Sequence, residues 1–323
     1  MEREVGLHDK PLWIYLDQNK WIDLARAYYH QPRGERFAAT LERAWNAVKQ
    51  DVVRFPISAE HINETMKTKD EQRRRKLSQV MVELSLGRTI APYRKVISFE
   101  LDTALAEILD QTIVATPPPV FGRGVDFACG QDEAWPATYF EATEGLVLAL
   151  NSPIESVRQW HTKRFEKQLE YITQEAENLR GGERKLTWEV RRQAHIATLS
   201  AGPRRDLLQA SLSRIGRSLE DFLALSPEQR AELYQRVPTL DLEMELNMGK
   251  DELRNRRINA HDWNDMSFLC VAIPYCDIVI TEKMWVDIAK RRKLDQKYNT
   301  ILLTDVAELE AHLPDYVKKS LPS

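Results

Sequence analysis

Short apolar runs that end at an acid or a threonine constrain this chain more than any other feature. Leu12-Trp13-Ile14-Tyr15-Leu16 runs without a charged side chain into Asp17, and Asp277-Ile278-Val279-Ile280-Thr281 leads into Glu282. A strand with no polar face must be covered on both sides, the condition met inside a parallel sheet flanked by helices. Thr300-Ile301-Leu302-Leu303-Thr304 repeats the pattern. Val52-Val53-Arg54-Phe55-Pro56-Ile57-Ser58 reads as a further strand with Pro56 near its end. Helical spacing separates these runs: Lys20 to Tyr29 with Trp21, Leu24 and Tyr28 on one face, Glu35 to Val48, and one long polar helix from Ala59 to about Leu86 that closes at Gly87. Asn264 to Ile273, Lys283 to Lys293 and Val306 to Leu313 read as helices near the other end. Strand and helix alternate at both ends, which predicts one α/β sheet built from two separated segments.

The middle does not continue that pattern. Pro117-Pro118-Pro119 and the glycines around Gly122-Arg123-Gly124 mark a boundary, and long charged helical stretches follow, broken at Gly181-Gly182 and Ala201-Gly202-Pro203. The organisation expected is therefore a domain in two parts, 1–115 and 238–323, around a mostly helical insertion over 116–237. Composition narrows the function classes. Lys and Arg number 46 against 49 Asp and Glu, so no global basic field draws the chain to nucleic acid, and such a site must be a local patch. Cys129, Cys270 and Cys276 lack the paired spacing of a metal site and match a reducing compartment. The opening MEREVGLHDK has no apolar signal-peptide core, and no apolar run is of membrane-spanning length, so the expectation is a cytoplasmic protein without a membrane partner.

The position of the acids carries the chemistry. Ligands of open parallel sheets bind just outside the carboxyl ends of the strands. Asp17 ends the first strand there, Glu64 lies early in the helix after the second, and Glu282 follows Thr281. Asp262 and Asp265 are three apart at a helix start and share a face. Carboxylates gathered on one rim repel and raise one another's pKa, a conflict that a hard divalent cation with oxygen ligands resolves; Mg²⁺ or Mn²⁺ fits such a site. The plainer reading of any single strand-end Asp is a turn or helix cap.

Trp13-Ile14-Tyr15-Leu16-Asp17-Gln18-Asn19-Lys20-Trp21 resembles the opening of PIN-like nucleases. Phe55-Pro56-Ile57-Ser58 through His61 to Glu64-Thr65 is similar to that family's second motif. Asp265 through Ala272, Pro274-Tyr275-Cys276-Asp277, and Ile278-Val279-Ile280-Thr281-Glu282-Lys283 resemble its third and fourth. The likeness covers about 1–110 and 240–323. It implies a Rossmann-like parallel sheet flanked by helices, interrupted by the helical insertion, and Mg²⁺- or Mn²⁺-dependent phosphodiester hydrolysis, in RNA in preference to DNA. A toxin-like or phage-defence role follows by analogy alone. Carried over by position, Asp17, Glu64 and Asp265 match the acidic core. The fourth acid departs from the pattern: Lys283 stands where many members place Asp, Glu282 precedes it, and Asp262 and Asp277 are further candidates for the metal.

Several residues keep two readings. Trp13, Trp21, Trp263 and Trp285 read as core packing in preference to base stacking, Cys270 and Cys276 as buried thiols, and His61 and His261 equally as participants in the site or as supporting or surface residues. Arg73-Arg74-Arg75-Lys76, Arg191-Arg192, Arg204-Arg205 and Arg291-Arg292-Lys293 are solvated faces or phosphate contacts, with Arg73, Arg74, Arg191 and Arg192 the nucleic-acid candidates. A haloacid-dehalogenase-type phosphatase is disfavoured because Asp17-Gln18-Asn19 lacks its second acid. The stronger rival is a catalytically silent PIN-like module whose insertion binds nucleic acid, a protein partner or a second copy of the chain.

Overall fold

The first apolar run does become an interior strand. In the computed structural model, which describes residues 10–111, 120–131, 139–151, 187–201, 204–253 and 260–313, the chain runs β1 (Leu12–Leu16), α1 (Gln18–Tyr28), α2 (Ala38–Lys49), β2 (Val53–Arg54), α3 (Ala59–Lys67), α4 (Glu71–Ser85), β3 (Arg88–Ile90), α5 (Tyr93–Ile108), β4 (Phe121–Arg123), α6 (Gly124–Ala128) and α7 (Tyr139–Leu150). It continues through α8 (Trp188–Ala201), α9 (Arg205–Arg214), α10 (Leu219–Leu223), α11 (Pro227–Arg236), α12 (Pro238–Asp251) and α13 (Ala260–Tyr275). The last elements are β5 (Ile278–Ile280), α14 (Lys283–Arg291), α15 (Leu294–Tyr298), β6 (Ile301–Leu303) and a 3-10 turn at Val306–His312. Among the described residues no helix is long and apolar enough to cross a membrane.

The fold is α/β, with a four-stranded parallel sheet in the order β2-β1-β5-β6 and helices on both faces. Ile14 stands opposite Ile278, and Ile278 opposite Ile301, so the two ends of the chain share one ladder. The period of two then divides the side chains. Ile14, Leu16, Ile278 and Ile280 enter the core under α1, α2 and α4, whereas Tyr15, Val279 and Leu302 face the core built on α13 and α14. A third core joins Ile97, Leu101 and Leu105 of α5 to Leu212, Tyr234 and Leu240 of the helices from α9 to α12. The stretch 116–237 serves both regions: β4 pairs antiparallel with β3 and Leu146 of α7 joins the first core, while α8 to α11 pack in the third.

Local chemistry explains where the elements depart from the sequence expectations. The run 52–58 ladders with β1 only at Val53 and Arg54, because Pro56 offers no N–H. Ile57 leaves for the small sheet, donating to Arg88 O at 3.0 Å and accepting from Ile90 N at 3.1 Å. The expected helix 59–86 is two helices. Thr68 is extended, Asp70 caps α4 by accepting from Arg73 N at 3.0 Å, and the guanidinium of Arg74 turns inward to donate to Thr68 O at 2.8 Å. The final helix is a 3-10 turn fixed by Asp305, which accepts from Ala307 N at 3.0 Å.

Gly34 sets the corner between α1 and α2. A Cβ there would lie 2.3 to 2.5 Å from the backbone of Arg26 and Ala27, atoms that no rotamer can move. Gly34→Ala is expected to destabilise by ~1–3 kcal/mol. An unchanged urea midpoint would show that this close approach does not exist.

Candidate active site

Parallel pairing brings the carboxyl ends of β1, β5 and β6 to one edge, and the acids named from the sequence collect there. Asp17 is the first residue beyond β1, with its N–H donated to Ile280 O at 2.9 Å, and is only 5% exposed. It occupies the N-cap position of α1 yet makes no side-chain capping bond, so its carboxylate is not consumed by the helix. Instead it accepts from the Thr281 hydroxyl at 3.2 Å, which joins the ends of β1 and β5. Glu282 likewise sits at the N-cap of α14 without capping it, exposed at the mouth of the site.

The helices deliver the remaining acids. Ser58 starts α3 with a capping box in which its hydroxyl accepts from His61 N and His61 Nδ1 accepts from Ser58 N. This fixes the helix phase that presents Glu64. The Gln18 side chain donates to Thr65 Oγ1 at 3.0 Å and binds the start of α1 to α3. Asp265, on α13, accepts from the indole N–H of Trp285 on α14 at 3.2 Å.

Burial raises each of these acids first, and the charges of neighbouring acids add to it. Burial first, and the charge of Glu282 second, push Asp17 up to about 6. Burial and then Asp17 push Glu64 up to about 7. Burial, with Asp17 the leading charge and Glu282 and Glu64 behind it, pushes Asp265 up to about 8. Lys20 partly relieves Asp17 and Lys67 partly relieves Glu64. Each acid therefore lies in the field of the others, although they come from positions 17, 64, 265 and 282 of the chain.

Other sequence candidates fall elsewhere. Asp277 is exposed at the start of β5, accepts from Trp13 N at 2.7 Å, and is some four strand residues, about 13 Å, from the acid edge. The spacing that made it a candidate ignored strand direction. Asp262 is buried one turn before Asp265 and is not among the main charges acting on the other acids. Arg74 is buried and spent on Thr68, which removes it as a phosphate contact. Arg73 is exposed and lines a groove between α1 and α4 with Lys76 and Tyr29. Arg191 and Arg192 stand on α8, away from this edge; Arg191 donates to Met248 O at 3.5 Å. Arg204 is tied to Glu243.

His61 is fully buried, its ring stacked on Tyr15 at 5.0 Å, and burial pushes it down to about 3 against the weaker opposing effect of the Leu16 carbonyl. It is a neutral wall of the site, not a proton carrier. The side chain of His261 lies outside the described residues. Trp21 and Trp285 are buried as expected, and Cys270 and Cys276 are buried free thiols. Sequence reasoning missed Glu60, which accepts from Ser267 at 3.5 Å and is raised mainly by burial. Its place four residues before Glu64 on one helix was the available signal, as was the three-residue step from Asp17 to Lys20 and from Glu64 to Lys67.

The donors at this edge are carboxylate oxygens, hard ligands of the kind that suits Mg²⁺ or Mn²⁺. Among the described residues no three His, Cys, Asp or Glu side chains are already drawn into a group that could hold a metal ion. The acids stand as a facing set. No family model, curated protein or solved structure matches the chain.

Proposed function

We propose that this acidic edge is the centre of a Mg²⁺- or Mn²⁺-dependent nuclease of the PIN-like kind, hydrolysing phosphodiesters of single-stranded RNA in preference to DNA. The observation that carries the reading is the convergence of Asp17, Glu64 and Asp265, partly or fully buried acids raised first by burial, with Asp17 adding to Glu64 and Asp265, and Glu282 adding to all three. A fold does not bury like charges together without cost. A function that uses them compensates for that cost.

Asp17, Glu64 and Asp265 would hold the cation, with Glu282 at the exposed side. The cation supplies charge stabilisation at the scissile phosphate and lowers the pKa of water bound to it. The chain's own residues do the rest. Thr281 and Trp285 orient Asp17 and Asp265 through the bonds described above. Lys20 and Lys67 place positive charge beside the acids, where a phosphodiester would otherwise be repelled. In the reaction a water oxygen bonds to phosphorus, one P–O ester bond breaks, and the leaving oxygen takes a proton. The test is cleavage of a labelled single-stranded RNA by the purified full chain with Mn²⁺ or Mg²⁺. Cleavage that EDTA abolishes is expected; no cleavage with either ion would reject the enzyme reading.

One observation favours a second reading, a silent PIN-like module acting through binding. Lys283, exposed beside Glu282, occupies the place where the resemblance expects an acid. On that reading the protein binds RNA or a protein partner and leaves RNA intact.

A further inference from the structure

The basic residues that sequence analysis left ambiguous come together on the far side of the sheet. α14 begins at the acid edge and runs back along the parallel crossover from β5 to β6, so its last turn and Lys293 reach the opposite edge. There a cavity of about 690 Å³ opens between α8 and the α14–α15 corner. Arg192, Arg291, Arg292, Lys293 and Lys297 line it, against Asp241 and Glu245.

The acids offset only part of this cluster, and Glu245 lies in the field of Arg192 as well as of Arg292 and Lys297. Lys297 is paired with Asp241 at 2.7 Å, and Arg292 with Glu252 at 2.9 Å and Glu245 at 3.8 Å. Among the described residues Arg192, Arg291 and Lys293 have no ion-pair partner. Arg291 bonds the carbonyl of Asp287 in its own helix, and Arg192 keeps a buried Nε with no hydrogen-bond partner. A buried guanidinium N–H left unpaired is costly unless a ligand takes it. Lys293 is held at a left-handed φ of 57°, which turns the chain sharply between α14 and α15.

The basic run Arg291 to Lys293 also suits the negative end of α14. That explains basic residues on the helix but not Arg192, which arrives from a different part of the chain. The aromatic wall narrows the ligand. The Arg292 guanidinium lies 3.5 Å from the Trp188 ring centre, so that face of the indole is taken and cannot stack a base.

We infer that this cavity binds a small ligand carrying two or more linked phosphate groups, gripped by Arg192, Arg291 and Lys293. Its volume is that of a small-molecule site, and guanidinium groups match phosphate oxygens in pairs. Such a ligand would join α8 to the sheet domain. The inference is independent of the chemistry proposed for the acid edge.

The test is calorimetric titration of sodium tripolyphosphate into the full chain in EDTA buffer, for wild type and for Arg192→Gln, Arg291→Gln and Lys293→Asn, singly and combined. Asn tolerates the left-handed backbone, so Lys293→Asn removes charge without strain. Saturable binding by wild type is expected, weakened on the order of tenfold per charge removed. Arg75→Gln, which removes an exposed charge paired with Glu71 on α4, should leave it unchanged. The proposal is overturned by no wild-type binding, by binding as tight as wild type in both Lys293→Asn and the combined variant, or by equal weakening in Arg75→Gln. A ten-nucleotide single-stranded RNA that binds this site more tightly than tripolyphosphate also overturns it, and makes the face a nucleic-acid surface.

Discussion

If the proposed reading holds, Asp17→Asn and Asp265→Asn are each expected to lower metal-dependent RNA cleavage by on the order of 10²–10³-fold, because each removes a charge that would hold the cation opposite the developing charge on the phosphate. The amide is close to isosteric with the acid. Its oxygen can still accept from Thr281 in one case and Trp285 in the other. Asp17 makes no side-chain capping bond in α1, and the amide oxygen of Asn can still accept from the Gln18 backbone that faces the carboxylate. The loss therefore reports chemistry and not unfolding, which circular dichroism would check. Asp277→Asn supplies the contrast. It sits at the other end of β5, its oxygen can still accept from Trp13 N, and the cleavage rate should not change. Initial rates on one RNA substrate would decide the matter, and cleavage that persists in both Asp17→Asn and Asp265→Asn would remove the acid edge from the reaction.

The same acids predict a large effect of opposite sign on stability. In an unfolded chain carboxyl groups titrate near 4, whereas in the fold Glu64 and Asp265 are pushed up to about 7 and about 8. Between those limits the folded state binds more protons than the unfolded state. Their stabilising contribution is complete below about pH 4 and is lost as pH rises through 7 and 8. Burial holds His61 at about 3 and His195 at about 4, so both oppose this trend below about pH 6.5. The clean window is therefore pH 6.5 to about 8.5. In EDTA, Tm should fall across it, and Asp265→Asn should flatten that fall and raise the unfolding free energy at pH 8 by ~1–3 kcal/mol, seen as a higher Tm. A Tm that is flat or rises with pH in that window, and is indifferent to Asp265→Asn, would show that Glu64 and Asp265 are not raised in the fold.

The parts of the fold that were legible in the sequence share one property: they leave no choice of surroundings. β1 and β5 have no polar face, so only a sheet covered on both sides accepts them. β2 and β3 are short and partly polar, and their pairing is decided by Pro56 and by the meeting of Ile57 with Arg88 and Ile90. The break between α3 and α4 hides in a polar stretch where helical spacing continues, and only the capping preference of Asp70 marks it. At the site, Asp17, Glu64, Asp265 and Glu282 could be named because a strand end or a helix start fixes where each backbone goes. Asp277 was misplaced because it precedes its strand, and in a parallel sheet that order carries it to the edge opposite the one where Asp17 ends β1. Arg74 illustrates a further limit. In a helical run of four basic residues the side chains spread around the axis, and one of them must face inward. The meeting of Arg192 with Arg291 and Lys293 depends on how α8 packs, which no local pattern encodes.

The central claim is that the four carboxylates form a cation site, and calorimetric titration of Mn²⁺ into the full chain at pH 8 tests it most directly. Asp265 and Glu64 carry protons in part at that pH, and binding must displace them. Saturable Mn²⁺ binding is expected, with a heat that depends on the buffer's ionisation enthalpy, lost in Asp17→Asn and retained in Asp277→Asn. Wild-type protein that binds no Mn²⁺, or Asp17→Asn that binds it as well as wild type, would contradict it.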